Sequence, residues 1–191
     1  MPPIEIKLDE QAVFEVQRKL AAIPEELPRV ISQAINATAR EGRTDISRNI
    51  RAVINAKVKD VNSRIVIEKA TQKRWKAVIS ISNRRLPLRT FSARQTKKGV
   101  SYQIEVHGIR KKIASAFIET MPTGHRGVYK RKSKTRFPII ERFGPSISRV
   151  FDNEYGLAET FKRVAMSKLL KNINSKIEWV LSMRGFSVKE S

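Results

Sequence analysis

Four clusters of basic side chains in the middle of the chain have the residue types and spacing to contact a polyanion. Lys and Arg neutralise phosphates and release their counterions, which gives salt-dependent affinity without reading base sequence. An acidic protein surface would suit the same side chains. The candidate contact residues are Arg84, Arg85, Arg94, Lys97, Lys98, Arg110, Lys111, Lys112, Lys130, Arg131, Lys132, Lys134 and Arg136.

Aromatic residues near these clusters are few, which argues against base recognition. A single-strand binder stacks bases on several aromatics of one face. Here only Trp75, Phe91, Tyr102, Tyr129 and Phe137 lie nearby, and Tyr102 and Phe137 would also suit a core. No helix-turn-helix, zinc-finger or RNA-recognition motif is visible. The charge therefore favours contact with a phosphate backbone and says little about base specificity.

No group of residues has the spacing of a catalytic or metal site. His107 and His125 are not spaced as a metal pair on one helix, and the chain has no Cys. The acidic residues of the middle segment are scattered, and no Gly-rich loop precedes Lys-Ser or Lys-Thr. We interpret His125 as a polar loop residue. The sequence predicts no enzymatic activity, no catalytic residue, no metal and no cofactor.

The positive charge is concentrated in one part of the chain. The 191 residues carry 39 Lys and Arg against 18 Asp and Glu, a net charge of +21. Residues 1–56 are neutral, residues 57–142 carry +18 and residues 143–191 carry +3. A basic middle, unlike a basic tail, predicts one charged face or lumen of a folded body. An evenly solvated surface is the alternative.

Length and hydropathy favour a single domain over residues 1–191. Hydrophobic residues make up 40% of the chain, enough for a core. No signal peptide and no membrane-length apolar run are visible, so we expect a protein that is cytosolic when made and has no membrane partner.

The N-terminal third has helical periodicity after one short strand. Residues 4–8 alternate as a strand does, and Asp9 is placed to cap a first helix. A second helix is expected to stop at Gly42, and Thr44 or Asp45 would cap a third.

The middle segment changes to the period of strands. Strands are predicted at 77–81 and 102–106, a buried strand at 113–118 and an edge strand at 137–140. A hairpin-like excursion is expected at 89–99, a basic loop at 124–136 and a turn at 144–146, with Ser146 capping a short helix. Phe117, Ile118, Phe137, Pro138 and Ile139 are expected to form core beneath the basic residues.

The C-terminal segment predicts a long amphipathic helix over about 154–183. Apolar residues from Phe161 to Val180 repeat at helical spacing, and Gly185 would end the helix. The predicted fold is α+β, an antiparallel β-sheet packed by N-terminal helices and this long C-terminal helix.

Several short elements, taken in order, resemble the minor tail protein Z family of long-tailed bacteriophages. The resemblance covers about residues 10–180, and the motif order, length and basic balance carry it together. The elements are Ala34-Ile35-Asn36, Ala39-Arg40, Arg85-Leu86-Pro87-Leu88, Ser115-Ala116-Phe117-Ile118, Met121, Gly124, Gly127-Val128-Tyr129-Lys130-Arg131, Arg136-Phe137-Pro138-Ile139 and Gly144-Pro145-Ser146.

This resemblance implies a structural virion protein that is not an enzyme. Family members complete the tail at its head-proximal end and join it to the head, so the expected partners are other tail and connector proteins. A homo-oligomeric ring, commonly hexameric, would repeat the basic clusters around a lumen. Those clusters would then meet the backbone of genomic DNA or acidic neighbouring subunits.

Two alternatives stay open at the level of sequence. A non-virion protein that binds nucleic acid without sequence preference would explain the charge but not the order of the motifs. A phage assembly factor absent from the mature particle would explain both.

Overall fold

The computed structural model describes residues 3–154 and 156–185 and has a mixed α+β fold with antiparallel sheets, as predicted. The helices of the described residues are α1 (Glu10–Lys19), α2 (Leu27–Val53), α3 (Val58–Asn62), α4 (Ile147–Arg149) and α5 (Leu157–Met183). The strands are β1 (Ile4–Lys7), β2 (Ile65–Glu68), β3 (Lys76–Ile81), β4 (Arg85–Pro87), β5 (Arg94–Thr96), β6 (Gly99–Tyr102), β7 (Lys111–Ala114), β8 (Ala116–Thr120), β9 (Arg126–Arg131), β10 (Ile139–Glu141) and β11 (Phe143–Ser146). Short 3₁₀ segments cover Pro24–Glu26 and Leu88–Thr90, and a π-helical segment covers Val150–Glu154.

The chain forms two compact units, each made of discontinuous segments. The helical unit comprises residues 3–45, 65–80 and 158–185. The basic unit comprises residues 46–64, 81–154 and 156–157. The single-domain assignment of the sequence stays a prediction.

In the helical unit, helices pack on a three-stranded antiparallel sheet of order β1-β3-β2. The Asp9 carboxylate accepts a hydrogen bond of 2.7 Å from the Ala12 backbone N–H, so the predicted cap of α1 is confirmed. The predicted stripe of α5 is also confirmed, because its residues are buried at helical spacing: Phe161, Leu169, Ile173, Ile177 and Val180. The helix begins at Leu157, slightly later than expected, and Gly185 follows its end with a φ of +78°.

The prediction that Gly42 stops a helix is wrong, as is the third helix capped by Thr44 or Asp45. Helix α2 runs through this position without a break. A Cβ on Gly42 would lie 2.9 Å from Phe161 Cζ and 3.3 Å from Ile79 Cδ1. The glycine therefore serves the close approach of α2 to α5 and β3.

The basic unit contains three small antiparallel sheets of order β11-β4, β5-β6-β7 and β10-β9-β8. Ser146 caps α4 as predicted, since its hydroxyl accepts from the Arg149 N–H. The predicted excursion is a hairpin in which Lys97 and Lys98 form the turn between β5 and β6. Pro138 lies just before the edge strand β10, which confirms its predicted position.

Two strands begin or end at other residues in the structure than the sequence predicts. Strand β6 ends at Tyr102, because the chain turns after it and Glu105 forms an isolated bridge with Ile54. The run 113–118 is not one buried strand: Ser115, with a φ of +59°, divides it into β7 and β8, which belong to different sheets. Within this run Ala116 is the one buried apolar residue, whereas Ile113 and Ile118 are half-buried.

Two further predictions are wrong because tertiary pairing decides these segments. Residues 126–131 are not a loop but β9, the central strand of its sheet, with Val128 and Tyr129 buried. Residues 144–146 are not a simple turn but belong to the bulged strand β11.

The expected core beneath the basic residues is also wrong in part. Phe137 is 64% exposed and Pro138 is exposed, while Phe117, Ile118 and Ile139 are half-buried. The core of this unit is formed instead by buried residues that include Leu86, Phe91, Val100, Val128 and Phe151.

Candidate polyanion-binding surface

All thirteen predicted contact residues lie in the basic unit, and all except the half-buried Lys130 are exposed. By sequence, segments 46–64 and 81–157 hold 22 Lys and Arg against 6 Asp and Glu, a net charge of +16. The other segments of the chain, which contain the helical unit, hold 17 Lys and Arg against 12 Asp and Glu, a net charge of +5. The polyanion signal therefore belongs to one of the two units.

The positive charges of this surface are not neutralised within the described part of the chain. None of the thirteen residues forms an ion pair with a carboxylate among residues 3–154 and 156–185. In the helical unit, by contrast, Arg74 pairs with Glu68, Lys76 with Glu5 and Arg184 with Glu26. Carboxylates of the described residues therefore do not compensate the charges of these thirteen cations.

The β5-β6-β7 sheet brings two of the candidates onto one face. Arg94 lies opposite Ser101, and Ser101 lies opposite Lys112, so the three side chains form a row across the strands. The neighbouring row contains Val100, which is fully buried and marks the core face. Lys97 and Lys98 are exposed at the turn between the first two strands.

Arg110 differs from the other candidates because its guanidinium is already engaged. Its Nη2 donates to the Ser92 carbonyl at 2.8 Å and lies 3.4 Å from the Ser101 hydroxyl. The side chain therefore braces the loop before β5 against β6, next to Arg94. Lys111 lies on the face of β7 opposite to Lys112.

The cluster at 130–136 is divided between a strand and a loop. Lys130 and Arg131 are consecutive in β9, so their side chains point to opposite faces of the sheet. The Arg131 guanidinium lies 5.2 Å from the centre of the Phe117 ring. Lys132, Lys134 and Arg136 follow in the loop.

This loop is shaped by its own polar residues. The Ser133 and Thr135 hydroxyls lie 2.6 Å apart, and the Thr135 hydroxyl also donates to the Phe137 carbonyl at 2.6 Å. The Arg136 guanidinium stacks 5.6 Å from the centre of the exposed Phe137 ring.

Arg85 and Lys111 line a groove of about 960 Å³, which also contains Glu105, His107 and the exposed Ile109. Arg84, next to Arg85, is exposed. The structure thus places Arg94 and Lys112 in one row and Arg85 and Lys111 in one groove, whereas it separates Lys130 from Arg131.

Sequence reasoning did not select two further residues of this surface. Arg126 is exposed and lies on the same face of β9 as Lys130, a relation that the alternation of a strand would have indicated. Gln95 links two sheets, because its carboxamide oxygen accepts from the Ile118 N–H at 2.9 Å and its nitrogen donates to the Gly99 carbonyl. Only the tertiary structure reveals this second role.

His125 is engaged within the protein, since its Nε2 lies 2.8 Å from Glu141 Oε1. Burial, with a smaller contribution from the Glu141 carboxylate, raises the pKa of the neighbouring Tyr129 above its usual value. In residues 3–154 and 156–185, His, Asp and Glu side chains do not group in threes that could hold a metal ion. None of the helices within that same range has the length and apolar character needed to cross a membrane.

The described residues thus form an α+β fold in which one unit carries exposed cations without carboxylate partners. Over residues 6–183 the chain matches the family described as prophage minor tail protein Z (GPZ). The chain belongs to this family, as the sequence motifs indicated, and is a structural component of a phage tail. No curated protein and no solved structure matches it.

Proposed function

We propose that the chain completes the tail at its head-proximal end and joins it to the head, as a homo-oligomeric ring whose basic units face the DNA. Membership of the tail protein Z family supports the location in the tail. The observation that carries the DNA contact is the set of thirteen exposed or half-buried cations without an ion-pair partner among the described residues.

The geometry supports sliding contact rather than base recognition. Arg94 and Lys112 are separated by one strand, which places their backbones about 10 Å apart on one face. The exposed aromatic near the basic loop, Phe137, is covered on one side by Arg136. Such a surface binds phosphates through charge and loses affinity as salt is added. The proposed function has no catalytic step.

The oligomer and its place in the virion are tested by counting copies of the chain per purified particle with quantitative mass spectrometry. A ring at the junction predicts a count of about six or a small multiple, because ring symmetry fixes the number of subunits. Absence from the particle would contradict the proposal and favour an assembly factor.

The nature of the partner is tested by binding to a short DNA duplex at several salt concentrations. The variant Arg94→Gln/Lys112→Gln should reduce the slope of log Kd against log salt by about 2, since each lost phosphate contact removes about 0.9. The matched control is Lys162→Gln/Lys171→Gln, which removes two exposed charges from α5 in the helical unit. It should leave the slope unchanged.

Equal slopes for the two variants would contradict DNA contact by this face. Failure of the unaltered protein to bind the duplex would have the same meaning and would favour acidic subunits as the partner.

A further inference from the structure

The helical unit contains a second groove that the proposed DNA contact does not use. It measures about 840 Å³ and is formed by α2, β2 and α5. None of the thirteen candidate contact residues lines it. The groove therefore requires an explanation of its own.

The lining of this groove is basic. Arg40 and Arg43 of α2, Lys69 after β2 and Lys176 of α5 contribute to it, and no Asp or Glu does. The two arginines lie on the helix in which the Ala34-Ile35-Asn36 and Ala39-Arg40 motifs occur. Charge complementarity thus calls for an acidic occupant.

One wall of the groove is a strand edge. Within the described residues β2 is the outer strand of the β1-β3-β2 sheet and pairs with β3 alone. Its residue Val66 is 59% exposed and faces the groove region. An unpaired strand edge offers N–H and C=O groups to an extended polypeptide.

Asn36 closes the end of this edge. Its side-chain nitrogen donates to the Ala70 carbonyl at 2.9 Å, and its side-chain oxygen accepts from the Ala70 N–H at 2.8 Å. The two bonds imitate those of a neighbouring strand and fix the segment after β2 to α2. They leave Ile65–Glu68 as the part of the edge that another strand can join.

An indole ring supplies the apolar part of the site. Trp179 is 45% exposed, and Lys176 and Arg29 stack on its ring at 5.4 and 5.9 Å from the centre. Because the residue keeps 45% of its surface exposed beside these two contacts, that part can pack against an apolar side chain of the occupant.

We propose that this groove binds an acidic, extended polypeptide segment of another protein, which joins the edge of β2 and packs an apolar side chain on Val66 or Trp179. A polypeptide fits better than a nucleic acid, because a strand edge presents both N–H donors and C=O acceptors, whereas a phosphate backbone has acceptors but no donors for the carbonyls. The site is independent of the proposed DNA contact, since the two use different units of the chain.

The test uses a fluorescently labelled peptide, acetyl-Glu-Val-Glu-Phe-Glu-Val-Glu-amide, with the full-length protein and fluorescence anisotropy. A second peptide has the same side chains but carries methyl groups on alternate backbone nitrogens, which prevents strand pairing. Lys176→Glu is the site variant. Lys171→Glu, an equal charge change at an exposed position of the same helix that does not line the groove, is the matched control.

We expect the unmethylated peptide to bind, and methylation or Lys176→Glu to raise its Kd about tenfold or more, equivalent to about 1.4 kcal/mol. The control variant should change the Kd by less than about twofold. Absence of binding, equal binding of the methylated peptide or equal effects of the two variants would overturn the proposal. So would displacement of the peptide by oligo-dT at an equal concentration, which would identify the groove as a nucleic-acid site.

Discussion

Glu26 is a nearly buried carboxylate that connects the start of α2 with the end of α5 in the helical unit. Its Oε1 accepts a hydrogen bond of 2.8 Å from Arg184 Nη2, and its Oε2 lies 3.5 Å from Arg29 Nη1. The hydrogen bond from Arg184 is the largest cause that holds the pKa of Glu26 below its usual value of 4.5. Folding therefore favours the ionised form of this carboxyl group.

This shift predicts a stability contribution that depends on pH. A carboxyl group with a lowered pKa in the folded state stabilises the fold above its unfolded pKa, and the contribution disappears as the pH falls through the folded pKa. Glu26→Gln should thus lower the Tm at neutral pH, and the difference from the unaltered protein should shrink below about pH 4. Thermal melts over a pH series measure this difference.

The matched control for this prediction is Glu15→Gln, which removes an exposed carboxylate of α1. Its effect on the Tm should be small at every pH, since an exposed charge without a close partner contributes little. A Glu26→Gln difference that stayed constant from neutral to acid pH would show that its ionisation is not the cause.

Single residues were predictable where the signal is local. Asp9 and Ser146 each cap a helix through an N–H three residues later in the chain, a relation that the sequence contains in full. The exposure of Phe137 was not predictable, because it depends on the distant strands that could cover the ring but do not. The prediction that Phe137 lies in the core relied on its hydrophobicity alone.

At the scale of elements, the contact between Gly42 and Phe161 shows how two distant segments decide one helix. Glycine often ends a helix, and the residues before Gly42 have a complete apolar stripe. The reason for glycine here is Phe161 on α5, whose ring would lie within 3.0 Å of an added Cβ. No residue near Gly42 in the sequence indicates that Phe161 packs against it.

We predict that Gly42→Ala destabilises the protein although alanine favours helix. The substitution gains up to about 1 kcal/mol of helix propensity but overpacks a core, which typically costs about 1–3 kcal/mol. A net loss of about 1 kcal/mol would lower the Tm by about 2–4 °C. Calorimetry measures the change.

A double-mutant cycle separates packing from propensity. Phe161→Leu shortens the side chain that the new Cβ would meet, so Gly42→Ala should be neutral or stabilising in that background. If Gly42→Ala were equally destabilising with Leu at position 161, overpacking against Phe161 would not be the explanation.

Strand β9 illustrates the opposite error, in which charge concealed an element. Residues 124–136 are so basic that a loop was the natural prediction, yet Val128 and Tyr129 are buried between β8 and β10. Two pairing partners stabilise a strand that its own sequence only weakly indicates. The amphipathic stripe of α5, in contrast, was predictable because its signal repeats over many turns.

At the scale of the whole molecule, the total charge follows from the sequence, but the division of that charge between the two units does not. The distribution of charges along the chain predicts one basic body at 57–142, whereas the structure divides that range between the two units, because residues 65–80 belong to the helical unit. Two basic residues there, Arg74 and Lys76, form ion pairs, whereas the thirteen candidates of the basic unit have no ion pair among the described residues. Repulsion among these cations therefore opposes the folding of the basic unit.

This partition predicts that salt stabilises the isolated protein. Screening has a length of about 10 Å at 0.1 M salt and about 3 Å at 1 M, so added NaCl should weaken the repulsion and raise the Tm. The variant Arg94→Gln/Lys97→Gln/Lys98→Gln/Lys112→Gln removes four neighbouring cations of the β5-β6-β7 sheet and should show a smaller rise. The matched control replaces four exposed cations of the helical unit and is Arg18→Gln/Lys73→Gln/Lys162→Gln/Lys171→Gln. The Tm of this control should rise with salt more than the Tm of the sheet variant. A Tm that fell with salt in the unaltered protein would mean that attractive ion pairs outweigh the repulsion of the basic unit.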